Sequence, residues 1–140
     1  MYKTTPRGIR NNNPLNIRIG NSWQGEVKNP TDKQFEQFTD MVYGLRAGFI
    51  LLHRYMTRYH LTCIIDIVSR WAPPTENKTI SYAKHVATMM KIGLHHEIGF
   101  WDKPTMLELV YAMCFVENGV YIDIEVISAG YDLAMQSINH

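Results

Sequence analysis

Glu117 is the residue of this chain whose type and position best suit it to chemistry. It ends the stretch Thr105–Glu117 (TMLELVYAMCFVE), which predicts an amphipathic helix, and Asn118 and Gly119 follow at once. An ionised, unpaired carboxylate is costly on the last turn of an apolar helix, so we expect the pKa of Glu117 to be raised. A carboxyl group of that kind can act as a general acid in glycoside cleavage. The alternative is a polar residue that faces water where the helix ends.

A second candidate region is the amide-rich segment Arg7–Arg18 (RGIRNNNPLNIR). Amide and guanidinium groups can hydrogen-bond the hydroxyl and N-acetyl groups of a sugar, and the nearby Trp23 could stack on a sugar face. Asparagine side chains also stabilise turns by bonding nearby backbone, so a purely structural role stays open. The candidate substrate-binding residues of this region are Asn11, Asn12, Asn13, Asn16, Arg18 and Trp23.

A third region begins at Trp71 (WAPPTENKTISYAKHV) and predicts a rigid loop that leads into a helix. We expect Thr79 to cap that helix and Glu76 to hold the loop, because an anion is stabilised near a helix N-terminus. Tyr82 would lie on the first turn, where its phenol could point into a cleft or into the core. Trp71 and Asn77, together with Asn118 after the candidate acid, complete the set of predicted substrate contacts.

The elements that must position these residues are mainly helical. Apolar residues at three- and four-residue spacing, with capping residues, predict five helices. They are Asp40 (as N-cap) to about Tyr59, a helix capped by Thr62 and stopped by Pro73 and Pro74, Ile80–Ile92 closed by Gly93, Thr105–Glu117, and about Asp123–Ile138. The Asn- and Gly-rich N-terminal part predicts loops and a small β-hairpin, with β-like pieces at Asn16–Ile19 and Glu26–Lys28. We therefore expect a mainly α protein with a single domain over residues 1–140.

Composition narrows the classes of function. A net charge of +1 over 140 residues gives no electrostatic case for binding nucleic acid or an anionic membrane. No run reaches membrane-spanning length, and the polar N-terminus lacks the apolar region of a signal peptide. Cys63 and Cys114 lie in apolar helical runs and are expected to be buried free thiols, with a disulfide between them as the alternative. His95 and His96 are adjacent and share no helix face, so we predict neither a metal site nor a cofactor.

The longest motifs of the chain carry a resemblance. RGIRNNNPLNIRIGNSWQGE, a Phe-x-x-Phe element, GLRAGFILLHRY, RWAPPTENKTISYAKHV and AMCFVENG resemble a family of bacteriophage and prophage virion proteins of the lysozyme-like superfamily. Leu15 stands where that family usually has glycine. PTENKTISYAKHV is also similar to the Glu-Thr-x-x-Tyr-Val motif of goose-type lytic transglycosylases, which implies that Tyr82 lines the cleft near the catalytic glutamate.

NNNPLNIRIG, NSWQG and QFEQF are similar to motifs of flagellar-type glucosaminidases, in which the catalytic helix precedes this region. Here the matching helix, LELVYAMCFVENG, comes at the other end of the chain. The order of the motifs predicts a circular permutation that brings Glu117, Tyr82 and the Asn11–Asn16 loop together.

The resemblance implies a lysozyme-like domain that acts on peptidoglycan, alone or with other virion proteins. We expect a lytic transglycosylase that cleaves the β-1,4 bond between N-acetylmuramic acid (MurNAc) and N-acetylglucosamine (GlcNAc), with Glu117 as its single catalytic carboxyl. The alternatives are a muramidase- or glucosaminidase-type hydrolase with Glu76 or Glu26 as second carboxylate, and a catalytically silent structural or wall-binding virion protein. The protein would be made in the bacterial cytoplasm and would reach the wall with the virion or by a non-classical export route.

Overall fold

The protein is mainly α, as the sequence predicts. The computed structural model describes residues 5–72 and 75–139, apart from the side chains of residues 76 and 77. The helices are α1 (Arg7–Arg10), α2 (Met41–Thr57), α3 (Ile64–Trp71), α4 (Glu76–Met90), α5 (Lys103–Asn118) and α6 (Ile124–Ile138). None of these helices is long and apolar enough to cross a membrane.

Side-chain caps set the start of three helices. The Asp40 carboxylate accepts a hydrogen bond from the Val42 amide at the start of α2, as predicted. Asp123 caps α6 in the same way. At α5 the cap is Asp102, which accepts from the amide and hydroxyl of Thr105, so the helix begins two residues earlier than the predicted Thr105 start.

Three predicted helix boundaries were wrong. Thr62 does not cap α3: the helix begins at Ile64 after Cys63, and the Thr62 hydroxyl instead donates to Glu97. Thr79 lies buried inside α4, which begins three residues before it. The same helix ends at Met90 because Lys91 takes the left-handed conformation, at φ 59°, that had been assigned to Gly93. The proposed stop at Pro73 and Pro74 lies outside the described residues.

The predicted loop and hairpin element near the N-terminus contains antiparallel pairing but very little strand. The antiparallel pairing is limited to isolated bridges between Arg18 and Phe35 and between Glu26 and Phe38. Upstream of these bridges, residues 7–10 form the short helix α1, which the sequence did not predict. The Glu36 amide donates to the Ile17 carbonyl across the two segments, and Asn13 Nδ2 donates to the carbonyls of both residues, so a side chain supplements the few backbone bonds here.

The hydrophobic core lies between the long helices. The helix α2 packs along α6, and α4 packs against both α3 and α5. In the first pair the rings of Phe49 and Tyr131 meet edge to face at 5.2 Å. Gly130 permits the close approach, since a Cβ there would lie 2.6 Å from the Leu45 side chain. Cys114 is buried in this core and Cys63 beside it, and both are free thiols, as predicted.

The N-terminal segment is fastened to α2. A Cβ at Gly44 would lie 2.0 Å from the Asn12 carbonyl oxygen, and one at Gly48 would lie 2.3 Å from the Leu15 side chain. Leu15 is fully buried, so this position contributes a core side chain. The loop therefore forms one wall of the protein, against which the end of α5 can be held.

Candidate active site

Glu117 lies on the last turn of α5, where the apolar helix meets the N-terminal loop. The helix ends because Gly119 adopts a left-handed conformation at φ 71°, which glycine tolerates without steric cost. Glu117 Oε1 accepts a hydrogen bond from Asn16 Nδ2 at 2.8 Å. Its other oxygen, Oε2, accepts from the Tyr82 hydroxyl at 3.0 Å. Three distant parts of the chain thus meet at one carboxyl group.

Burial sets the electrostatics of this group. Removal from water raises the pKa of Glu117 above its ordinary value, while the hydrogen bonds from Asn16 and Tyr82 act in the opposite direction. Burial and the neighbouring carboxylate also raise the pKa of Tyr82 well above its usual range. Tyr82 therefore remains a hydrogen-bond donor, and Glu117 holds its proton to a higher pH than an exposed glutamate does.

The turn that presents Asn16 is held by its neighbours. Asn16 itself has a left-handed backbone, at φ 53°, and its backbone N–H donates to the Asn13 backbone carbonyl. Asn13 is fully buried, and its side-chain oxygen accepts from the Ile17 amide. These bonds orient the Asn16 side chain towards α5.

Asn118, next to the candidate acid, ties α5 to the same loop. Its side-chain nitrogen donates to the carbonyls of Pro14 and Cys114, at 2.7 and 2.9 Å. Its Oδ1 lies close to Gly8, where a Cβ would stand 2.4 Å from that atom and 2.9 Å from Asn16 Oδ1. Gly8 therefore leaves the space in which both asparagine side chains are packed.

Two cavities flank Glu117. The first, which we call the aromatic cavity, measures about 450 Å³ and contains the rings of Phe35, Tyr55 and Trp71. The second, which we call the α4 cavity, measures about 420 Å³ and lies against the side chains of α4. Glu117 and Ala72 line both cavities, so the carboxyl group lies where the two spaces meet.

The aromatic cavity is built from a fixed set of rings. Trp71 Nε1 donates to the Leu15 carbonyl at 3.2 Å, and the Trp71 ring meets Tyr55 edge to face at 5.7 Å. Arg18 lies over the Phe35 ring, with its guanidinium carbon 4.8 Å from the ring centre. Aromatic faces beside amide and guanidinium donors are suited to binding a sugar ring.

The predicted site residues fall into two groups. Glu117, Asn16, Arg18, Trp71 and Tyr82 each line at least one of the two cavities. The other predicted site residues whose side chains the structure describes line neither cavity.

Each of the other asparagines of the loop serves the loop itself. Asn11 donates to Asp32 and accepts from Gln37, while Asn12 donates to the Phe38 carbonyl. Together with the buried Asn13, these amides form hydrogen bonds within the protein, and none of the three lines either cavity.

The structure places three further predicted residues elsewhere, or leaves them undescribed. Trp23 is partly buried against the core, and its backbone amide donates to Glu26 Oε1. The side chains of Glu76 and Asn77 lie outside the described residues.

Sequence reasoning missed one face of α4. Lys78, Ser81, Tyr82 and His85 all line the α4 cavity, and only Tyr82 had been singled out. Their positions follow the three- and four-residue spacing of one helix face, which is a signal that the sequence contains. Phe35 and Tyr55 of the aromatic cavity could not be found in this way, because they come from separate elements.

Glu36 is a second perturbed carboxyl that the sequence did not reveal. Burial, followed by the neighbouring charge of Glu26, raises the pKa of Glu36 to about 7. Neither Glu26 nor Glu36 lines the cavities at Glu117. Over the described residues, no cluster of histidine, cysteine or acidic side chains is arranged to hold a metal ion.

Comparison with known proteins identifies the family. No protein-family model matches the chain. Protein P5 of Pseudoalteromonas phage PM2 is 39% identical to it over 117 residues, which cover 81% of this chain and 71% of the phage protein. The chain therefore belongs to the same family of phage proteins as Protein P5.

Proposed function

We propose that this member of a phage-protein family is a peptidoglycan lytic transglycosylase that cleaves the β-1,4 bond between MurNAc and GlcNAc. The proposal rests above all on Glu117, a carboxyl with a raised pKa that lies between two cavities and is held by Asn16 and Tyr82. A cleft that continues on both sides of a proton donor suits cleavage in the interior of a polymer.

The chemistry requires one group that first gives and then takes a proton. Glu117 would protonate the glycosidic oxygen as the bond from that oxygen to the MurNAc anomeric carbon breaks. The C6 hydroxyl of the same MurNAc would then attack the anomeric carbon and lose its proton to the Glu117 carboxylate. The products are a 1,6-anhydro-MurNAc end and a new GlcNAc hydroxyl, with no net consumption of water.

Tyr82 and Asn16 would support this exchange of roles. Each donates a hydrogen bond to a different Glu117 oxygen, and such bonds strengthen when the carboxyl becomes an anion. Burial favours the protonated acid before the reaction, while the two donors stabilise the carboxylate that forms during it.

Among the described residues, the linings of the two cavities favour a transglycosylase over a hydrolase. Apart from Glu117, no described residue that lines either cavity carries a carboxylate. Of the two candidates for that role, Glu26 accepts a hydrogen bond from the Trp23 amide, and the Glu76 side chain lies outside the described residues. A hydrolase that adds water across the bond generally needs a second carboxyl group at a defined separation.

The contacts of Glu117 also support the proposed circular permutation. Asn16 and Tyr82 precede Glu117 by 101 and 35 positions, yet both bond its carboxyl group. A motif order that differs from that of flagellar-type glucosaminidases thus still brings the three motifs into contact.

The deciding experiment uses purified peptidoglycan and the Glu117→Gln variant. Mass spectrometry of wild-type digests should show 1,6-anhydro-MurNAc ends, and the variant should lose activity by roughly 100-fold or more, since the amide cannot transfer a proton. Glu108→Gln is the matched control, because Glu108 is exposed on the same helix and outside both cavities.

The possible products separate the proposal from its alternatives. Reducing MurNAc or GlcNAc ends would indicate a hydrolase. Membership of a phage family also supports a second candidate, a virion component that contacts peptidoglycan without cleaving it. Binding to sacculi without release of soluble fragments would establish that candidate and refute the transglycosylase.

A further inference from the structure

The α4 cavity differs in chemistry from the aromatic cavity on the other side of Glu117. Its polar lining comes from successive turns of one helix, with Lys78, Ser81 and His85 beside Tyr82. Val116 supplies an apolar contact from α5. Its described lining residues therefore offer a cation and several hydrogen-bond donors, and among them only Tyr82 is a phenylalanine, tyrosine or tryptophan.

The charge balance of the α4 cavity favours an anion. Among its described lining residues, Glu117 is the only acid, and burial favours its neutral form. None of the described acidic side chains forms an ion pair with Lys78 or with Arg18, the cation of the aromatic cavity, but the Arg18 guanidinium lies over the Phe35 ring. An ammonium group with no carboxylate partner can bind an anionic group of a ligand.

Ring contacts hold one of the donors in place. The centre of the His85 ring lies 5.7 Å from that of Phe115, and the Phe115 ring stacks on Tyr121 with their centres 4.4 Å apart. The imidazole thus lies at the edge of the cavity against a packed aromatic pair, so less conformational entropy is lost when it bonds a ligand.

A glycan strand of peptidoglycan carries free carboxylates on its peptide stems, which are attached to MurNAc, whereas GlcNAc carries no charge. We infer that the α4 cavity binds a carboxylate of the peptide stem through Lys78, with Ser81 and His85 as hydrogen-bond donors. The inference rests on the proposed function, since it concerns the same cleft. It assigns the stem-bearing part of the substrate to the α4 side of Glu117 and predicts a preference for stem-bearing strands over bare glycan.

The test is a binding measurement that requires no cleavage. Isothermal titration calorimetry would compare a GlcNAc-MurNAc-tetrapeptide with the same muropeptide whose stem carboxylates are converted to methyl esters. We expect the wild type to bind the free acid about 5- to 10-fold more tightly, and added salt to reduce that ratio. The Lys78→Met variant should bind both ligands equally, with circular dichroism showing that it folds.

Lys84→Met is the matched control, because Lys84 is exposed on the same helix but does not line the cavity. It should keep the wild-type preference. Equal binding of acid and ester by the wild type, a preference that survives in Lys78→Met, or failure of both ligands to bind would each overturn the inference. Loss of the preference in Lys84→Met as well would also overturn it, because the effect would then belong to the general charge of the helix.

Failure of the inference and failure of the proposed function remain distinguishable. A wild type that forms anhydro ends but binds acid and ester equally would retain the transglycosylase and lose the stem-carboxylate site. A wild type that prefers the free acid but releases no fragments would retain the site in a protein that only binds the wall.

Discussion

Replacing Tyr82 with phenylalanine removes a single hydrogen bond from the candidate acid. The ring is almost fully buried, so the substitution keeps its packing and deletes the hydroxyl that donates to Glu117 Oε2 at 3.0 Å. A hydrogen bond to a charged group is worth about 1.5–3 kcal/mol. If that interaction is made in full only when Glu117 becomes an anion, its loss should lower kcat by roughly 10- to 100-fold.

The same change should alter the pH dependence of cleavage. The Tyr82 hydrogen bond lowers the pKa of Glu117 against the larger opposing effect of burial, so its removal raises that pKa further. A general acid must be protonated to act, and activity therefore falls as pH rises through its pKa. The alkaline limb of the pH profile for Tyr82→Phe should lie at higher pH than that of the wild type.

Initial rates of release of anhydro-muropeptides between pH 5 and 9 would measure both effects. Tyr131→Phe is the matched control, because it also deletes one hydroxyl bond, to the Phe100 carbonyl at 2.9 Å, and neither of these two residues lines a cavity at Glu117. It should lower the melting temperature and leave the pH profile in place. An unmoved alkaline limb with kcat within two-fold of wild type would refute the role assigned to Tyr82.

Two further predictions concern the N-terminal loop. Gly8→Ala places a Cβ 2.4 Å from Asn118 Oδ1, so it should destabilise the fold by roughly 1–3 kcal/mol and reduce the rate of cleavage. Gly20→Ala is the control, because a Cβ there would have no atom within 4 Å. Thermal melts and rate assays should show neither effect in this variant. In the folded protein, burial and the charge of Glu26 raise the pKa of Glu36 to about 7, above its ordinary value of 4.5. Between these two pH values the folded state binds more protons than the unfolded state, so the free energy of unfolding of the wild type should fall as the pH rises from 4.5 to 7. Glu36→Gln should flatten that fall by up to about 3 kcal/mol, and unfolding curves that keep the wild-type pH dependence would contradict the prediction.

Most of the helical framework could be predicted from local sequence. The stripes of apolar residues and caps such as Asp40 act within one or two turns, so they are visible without knowledge of the fold. Glu117 could be singled out for the same reason, since an apolar helix and a following glycine are local features. The errors lay at boundaries such as Thr62 and Thr79, where another residue began the helix.

The different roles of the four asparagines could not be predicted from local sequence. Asn11, Asn12, Asn13 and Asn16 are chemically identical, and the sequence identified all four as sugar-binding candidates. In the fold, the side chains of Asn11, Asn12 and Asn13 form hydrogen bonds within the N-terminal segment, and only the Asn16 side chain bonds Glu117. That choice depends on a left-handed turn and on packing against helices far along the chain.

The sequence by itself determined which residue types were available: one carboxyl at the end of an apolar helix, an amide-rich loop, and a polar face on the helix of Tyr82. Tertiary structure decided which of these groups meet. The raised pKa of Glu117 arises from both levels, because an apolar helix predicts burial but the two opposing hydrogen bonds come from Asn16 and Tyr82. A pKa depends on every charge, dipole and layer of protein around the group, and those neighbours are assembled only when distant segments pack together.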